Sequence, residues 1–218
     1  MLQILLVVLA TCFFQLVGAE VHGGTLLAMK GNGCVLVASD SRFATHKTGG
    51  LLIGKHNRIV LKVGSKTLVS CLGLDSDARS LEEKLRSKVC SHDDMDLEPH
   101  SIARCVSDIL YSSPMYCTPT IVGIDSNKMP FICSMDGLGA QTVSNGFAVS
   151  GSANTGLYAA CEELYRPGMS QQELIALAKR IMTLALQRDV MSGCVCTIHV
   201  LNCDGTLRRS EFETDDCF

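Results

Sequence analysis

The sequence predicts an α+β fold of four layers, in which two antiparallel sheets stack face to face and helices cover both outer faces (an αββα sandwich). Strand-like and helix-like segments follow one another in blocks rather than in strict βαβ alternation. Residues 34–39 (CVLVAS) are apolar at nearly every position, so both faces of that strand must be covered. Stacked sheets flanked by helices satisfy both observations.

Two hairpins are predicted to open the fold. Residues 25–29 and 34–39 flank Asn32-Gly33, a dipeptide that favours a tight hairpin turn. Residues 58–63 (RIVLKV) and 67–74 (TLVSCLGL) flank Gly64-Ser65 in the same way.

An amphipathic helix is predicted next, over residues 78–90. Leu81, Leu85 and Val89 recur every four residues, which places them on one helix face. The preceding Asp-Ser-Asp at 75–77 offers side-chain oxygens that can cap the helix N-terminus.

A second helix is predicted over residues 100–111, ahead of Pro114, with strands over 119–125 and 129–136. These are followed by a strand over 147–152 and a third helix that ends near 166–168.

The C-terminal part of the chain is predicted to hold a long helix. Residues 170–173 (SQQE) form a capping box that opens it. The last strands are predicted over 194–200 and 205–211.

Composition excludes some classes of protein. The 218 residues carry a net charge of -3 and no run of lysine or arginine, which argues against nucleic-acid binding. The twelve cysteines form no C-x2-C pair, and most lie in apolar runs where a thiol packs as a small hydrophobe. Reduced, buried thiols are therefore predicted, and disulfides of a secreted protein are the alternative.

Residues 1–22 are interpreted as an apolar N-terminal extension, and residues 23–218 as one domain. The extension ends in small residues, as a signal peptide does, but no lysine or arginine precedes its apolar run. Its length is marginal for a membrane span of about 20 residues. A signal peptide, a propeptide-like extension or an artefact of the assigned start, and a membrane anchor remain open.

Four motifs, GTLLAMKG, LVASDSRF, LYRPGMS and QRDVMSG, resemble the proteasome β-subunit family of N-terminal nucleophile hydrolases, in particular its non-catalytic members. The resemblance runs from about residue 23 to 207. It implies a β-ring protomer of the 20S core particle that helps form the chamber for ATP- and ubiquitin-dependent protein degradation. The implied partners are other β subunits, α-ring subunits, the facing β ring and polypeptide substrates.

The resemblance further implies a location in the cytoplasm and nucleus, or in the secretory pathway if the signal peptide is real. No cofactor, metal, nucleic acid or membrane is expected.

Catalytic members of this family use an N-terminal threonine, whose hydroxyl attacks while its α-amine, with a pKa of about 8, acts as a base. In this sequence the nucleophile register falls on Gly24, and Thr25 is one residue late. A one-residue slip in a strand turns the hydroxyl to the opposite face. We therefore expect no catalytic residue here, and interpret Thr25 as a β-former on an edge strand. An active endopeptidase cleaved between Gly24 and Thr25 is the alternative.

The supporting residues are carried over by the resemblance as a vestigial site. Asp40, Ser150, Asp189 and Ser192 match the family's aspartates and serines. Arg58 stands where the family has its lysine, and a guanidinium stays protonated. Without a nucleophile, Asp40 is favoured as a polar residue that ends a buried strand.

Other polar residues are interpreted structurally. A core histidine is favoured for His199 over a metal ligand. Cys194 and Cys196 share a strand face, which suits packing better than a zinc site with four convergent ligands. The acidic, histidine-containing stretch 91–100 is interpreted as a solvated loop.

Overall fold

The computed structural model describes residues 21–45, 51–55, 60–90, 97–187, 189, 193 and 195–213, and these form the predicted four-layer sandwich. Its helices are α1 (Asp75–Cys90), α2 (Pro99–Ser112), α3 (Asn154–Leu164) and α4 (Gln171–Leu186). Its strands are β1 (Val21–Gly23), β2 (Thr25–Gly31), β3 (Cys34–Asp40), β4 (Arg42–Thr45), β5 (Leu51–Lys55), β6 (Val60–Val63), β7 (Thr67–Leu74), β8 (Cys117–Ile124), β9 (Pro130–Met135), β10 (Gln141–Val143), β11 (Phe147–Gly151), β12 (Val195–Asn202) and β13 (Leu207–Glu213).

Both sheets are antiparallel. The larger has the order β10-β9-β8-β7-β1-β4-β5, with β6 also paired to β7, and the smaller has the order β11-β2-β3-β12-β13. Both predicted hairpins are confirmed, since β2 pairs with β3 and β6 pairs with β7. Gly33 takes the left-handed conformation (φ +65°) that the first turn requires.

The core lies in three layers of apolar side chains. One lies between the sheets, one beneath α1 and α2, and one beneath α3 and α4. Every residue of β3 is buried, which confirms that this strand is covered on both faces. The eight cysteines whose pairing the structure describes are free thiols.

The N-terminal bound of α1 corrects the sequence prediction. The helix begins at Asp75, so residues 75–77 form its first turn instead of preceding it. Asp75 forms an i,i+4 ion pair with Arg79 at 2.9 Å, and Asp77 accepts a hydrogen bond from the Tyr116 amide at 2.7 Å. Acidic residues are favourable there because they face the positive end of the helix dipole.

The sequence prediction missed four strands, β1, β4, β5 and β10. They are three to five residues long, too short to establish a period-two pattern, and long-range pairing creates them. The predicted capping box of α4 is confirmed, because Glu173 accepts from the Ser170 amide at 2.8 Å. Among the described residues, no helix combines the length and the apolar character needed to cross a bilayer.

Candidate functional site

Gly24 is the point at which the chain crosses from one sheet to the other. Residues before it belong to β1, where Gly23 pairs with Gly73 of the larger sheet. The residue after it, Thr25, opens β2 and pairs with Gly151 of the smaller sheet. The Gly24 amide donates to the Arg42 carbonyl at 3.3 Å, so the crossing is held by backbone hydrogen bonds.

The space beside Gly24 is occupied by a carboxylate. A Cβ placed on Gly24 would lie 1.7 Å from Oδ1 of Asp40 and 2.6 Å from its Cγ. Asp40 is 1% exposed and accepts a hydrogen bond from the Thr25 amide, so its carboxylate cannot shift to make room for a Cβ. Gly24, which the sequence analysis predicted to lie at the nucleophile register, therefore has no room for a side chain.

Thr25 is fully buried, and its hydroxyl lies on the helix-covered side of the smaller sheet. Oγ1 accepts a hydrogen bond from the Ala153 amide at 3.3 Å, just before α3. Leu27, on the same strand face, packs in the layer beneath α3 and α4. The expectation that Thr25 lies on an edge strand was wrong, because β2 is paired on both sides, by β11 and β3.

Asp40 ties three segments of the chain together, and it is the last residue of buried strand β3, as the sequence indicated. Oδ1 accepts from the Thr25 amide and Oδ2 from the Gly193 amide, each at 2.7 Å. Burial raises the pKa of this carboxyl to about 7, against the lowering effect of the backbone hydrogen bonds and with a small further rise from Asp189. The carboxyl therefore changes protonation near neutral pH.

Of the other predicted site residues that the structure describes, Asp189 is linked to Gly24 and Ser150 is directed between the sheets. The link is Ser152, whose amide donates to the Gly24 carbonyl at 3.3 Å. Ser150 lies across from Leu26, and its Oγ lies 3.3 Å from Oγ1 of Thr120, in the buried layer between the sheets. Asp189 accepts a short hydrogen bond from the Ser152 hydroxyl. Arg58 and Ser192 lie outside the described residues.

Three residues complete this arrangement and were missed by the sequence prediction. Gly193 supplies an amide to Asp40, Ser152 contacts Asp189, and Ala153 supplies an amide to Thr25. The only sequence signal was adjacency, since Gly193 follows Ser192 and the other two follow Ser150 closely. Gly193 and Ala153 act through backbone amides, which leave no signature in a sequence.

Two of the residues considered as metal ligands, Cys196 and His199, are among those that the structure describes. Cys196 is fully buried beneath the helices. His199 is half-buried in β12, where burial is the main factor that lowers its pKa. Within the described part of the chain, no three histidine, cysteine or carboxylate side chains come together as a metal site would require. Cys194 and residues 91–96 are outside that part.

Comparisons with known proteins agree with this fold. The family model described as "Proteasome subunit" matches residues 20–201. The chain is 33% identical over 180 residues to proteasome subunit beta type-3 of Oryza sativa subsp. japonica, covering 80% of this chain and 87% of the relative. It is 31% identical over 196 residues to probable proteasome subunit beta type-3 of Schizosaccharomyces pombe, covering 87% and 95%. It is 27% identical over 196 residues to proteasome subunit beta type-3 of Drosophila melanogaster, covering 87% and 94%.

Proposed function

Because this chain belongs to the proteasome subunit family, we propose that it is a non-catalytic β subunit of the 20S core particle. Its role is to form part of the wall of the chamber in which polypeptides are degraded, in the ATP- and ubiquitin-dependent pathway. The observation that carries this proposal is the Asp40 carboxylate, which fills the side-chain space of Gly24.

The chemistry of the family supports inactivity of this chain. A hydroxyl needs a base beside it to become a nucleophile at neutral pH. Here the residue at the predicted register, Gly24, has no hydroxyl. The Thr25 hydroxyl is buried on the helix side of the sheet. Arg58, in place of a lysine, would remain protonated.

The proposed partners are neighbouring β subunits, the α ring and the facing β ring. Large apolar side chains that stay exposed in the single chain support such contacts, because monomeric proteins expose few contiguous apolar patches. Tyr111 is 86% exposed, Tyr116 83% and Leu138 64%. The cytoplasm and nucleus are the proposed location.

An electrophilic probe for N-terminal threonines tests the proposal on the purified native particle. We expect the probe to label other β subunits and to leave this chain unmodified, because no threonine occupies its nucleophile register. Probe mass on a peptide that begins at Thr25 would overturn the proposal.

A particle that carries Thr25→Ala provides the second readout. If Thr25 has no catalytic role, peptidase activity per assembled particle stays at the parental level. A large selective loss of one peptidase activity, with normal assembly, would instead identify Thr25 as a nucleophile.

A further inference from the structure

Cys71 and Cys117 meet on the helix-covered face of the larger sheet. Cys71 lies in β7 and Cys117 opens β8, and the register places Pro119 opposite Cys71 and Gly73 opposite Cys117. The two cysteines are therefore diagonal neighbours on one face of adjacent strands. Both belong to the apolar layer beneath α1 and α2, and their side chains share a hydrogen bond.

The backbone of Cys117 lies close against β7, the strand that carries Cys71. A Cβ placed on Gly73 would lie 2.8 Å from the Cα of Cys117. Asp77, in the first turn of α1, accepts a hydrogen bond from the Tyr116 amide at 2.7 Å and so fixes the residue before Cys117. Sheet pairing and this helix contact together fix the backbone beside Cys117.

A groove gives small solutes access to the pair. Its volume is about 770 Å³, and it lies between β6, β7 and α1, with Cys71 in its lining. Cys117 lies behind, at 3% exposure. A small molecule can therefore approach the pair of sulfurs from the Cys71 side.

We propose that Cys71 and Cys117 form a reversible dithiol–disulfide site that reacts with a small two-electron oxidant of the peroxide class. This site is separate from the Gly24 region, and it does not depend on the function proposed above.

The reaction balances with one peroxide molecule. Cys117 supplies the thiolate, because the hydrogen bond with Cys71 lowers its pKa. Its sulfur attacks one peroxide oxygen, the O–O bond breaks, and a sulfenic acid and one water result. The Cys71 sulfur then displaces that oxygen as a second water, and the S–S bond forms. The two thiols lose two electrons and two protons, which the peroxide takes up as two waters.

The test is peptide mapping of the full-length chain after treatment with a small excess of hydrogen peroxide. Free thiols are blocked before digestion without reductant. We expect a cross-linked pair of peptides containing Cys71 and Cys117, about 2 Da lighter than the sum of the free peptides and separated by dithiothreitol. The proposal is overturned if both thiols remain fully alkylatable while other cysteines of the chain have oxidised.

Two variants make the assignment specific. Cys71→Ser removes the resolving thiol, so we expect no cross-link and a sulfenic acid on Cys117 that dimedone traps. Cys133→Ser is the matched control, because this thiol is fully buried in the same layer, yet hydrogen-bonds to the Ser134 carbonyl. It should leave the cross-link unchanged. If Cys71→Ser fails to fold, the mapping of the parental chain still decides the question, and absence of dimedone adduct in a folded Cys71→Ser chain counts against the mechanism.

Discussion

At the scale of single residues, Asp40 holds together the chain segments around Gly24. Its two oxygens hold the Thr25 and Gly193 amides, and its position leaves Gly24 without side-chain space. A carboxyl buried in this way favours its neutral form, because desolvation outweighs the hydrogen bonds that it accepts from backbone amides. The stability of the packing around Asp40 should therefore depend on pH.

Asp40 should make the free energy of unfolding fall as pH rises. Its pKa is about 7 in the folded chain and 3.8 when unperturbed, so the folded state binds the extra proton between these values. The stabilisation is complete below pH 3.8 and lost as pH rises through 7, with a contribution of up to about 4 kcal/mol. We expect denaturation between pH 4 and 8 to show this slope, and Asp40→Asn to flatten it. An equal slope in the Asn variant would show that another group is responsible.

Gly24→Ala should be strongly destabilising, because its methyl group would collide with Asp40. We expect a loss of about 3 kcal/mol or more in the free energy of unfolding, as in an overpacked core. The matched control is Gly156→Ala in α3, where nothing lies within 4 Å of the added methyl group. That variant should be neutral or more stable by up to about 1 kcal/mol. Equal effects of the two changes on denaturation would contradict the steric explanation.

At the scale of elements, the β8–β9 hairpin shows how a turn can hold a strained residue. Lys128 has φ +62°, and its amide donates to the Asp125 carbonyl at 2.9 Å. The Asp125 carboxylate also accepts from the Met129 amide at 2.8 Å. Hydrogen bonds thus close the turn, and they hold Lys128 in the left-handed backbone conformation, which is unfavourable for residues with a Cβ.

Lys128→Gly should stabilise the hairpin by up to about 1 kcal/mol, because glycine adopts positive φ without a Cβ penalty. Asn127→Gly is the control, since this neighbour does not have a positive φ and gains only unfolded-state entropy. We expect thermal melting temperatures to rise for the first variant and fall slightly for the second. The same direction of change in both would rule out backbone strain as the cause.

At the scale of the whole molecule, the sandwich is complete in its core and apolar on part of its surface. The three buried layers are filled, while Tyr111, Tyr116 and Leu138 remain exposed. A subunit of a larger particle keeps such surfaces for its neighbours.

In native extracts we expect the chain to migrate with a particle many times its own size and with other proteasome subunits. The measurement is size exclusion under non-denaturing conditions, followed by immunodetection of the chain. A sharp peak at the monomer position, with none at high mass, would contradict the proposed assembly.

The sequence alone determined the layers, the two hairpins and the four helices, because these depend on local periodicity and turn chemistry. It also indicated that Asp40 ends a buried strand. Only the tertiary structure decided that Asp40 fills the space beside Gly24, that Ser150 turns to Thr120, and that Cys71 meets Cys117. These contacts join residues about 16 to 46 positions apart, and strand pairing across two sheets, which no local pattern encodes, brings them together.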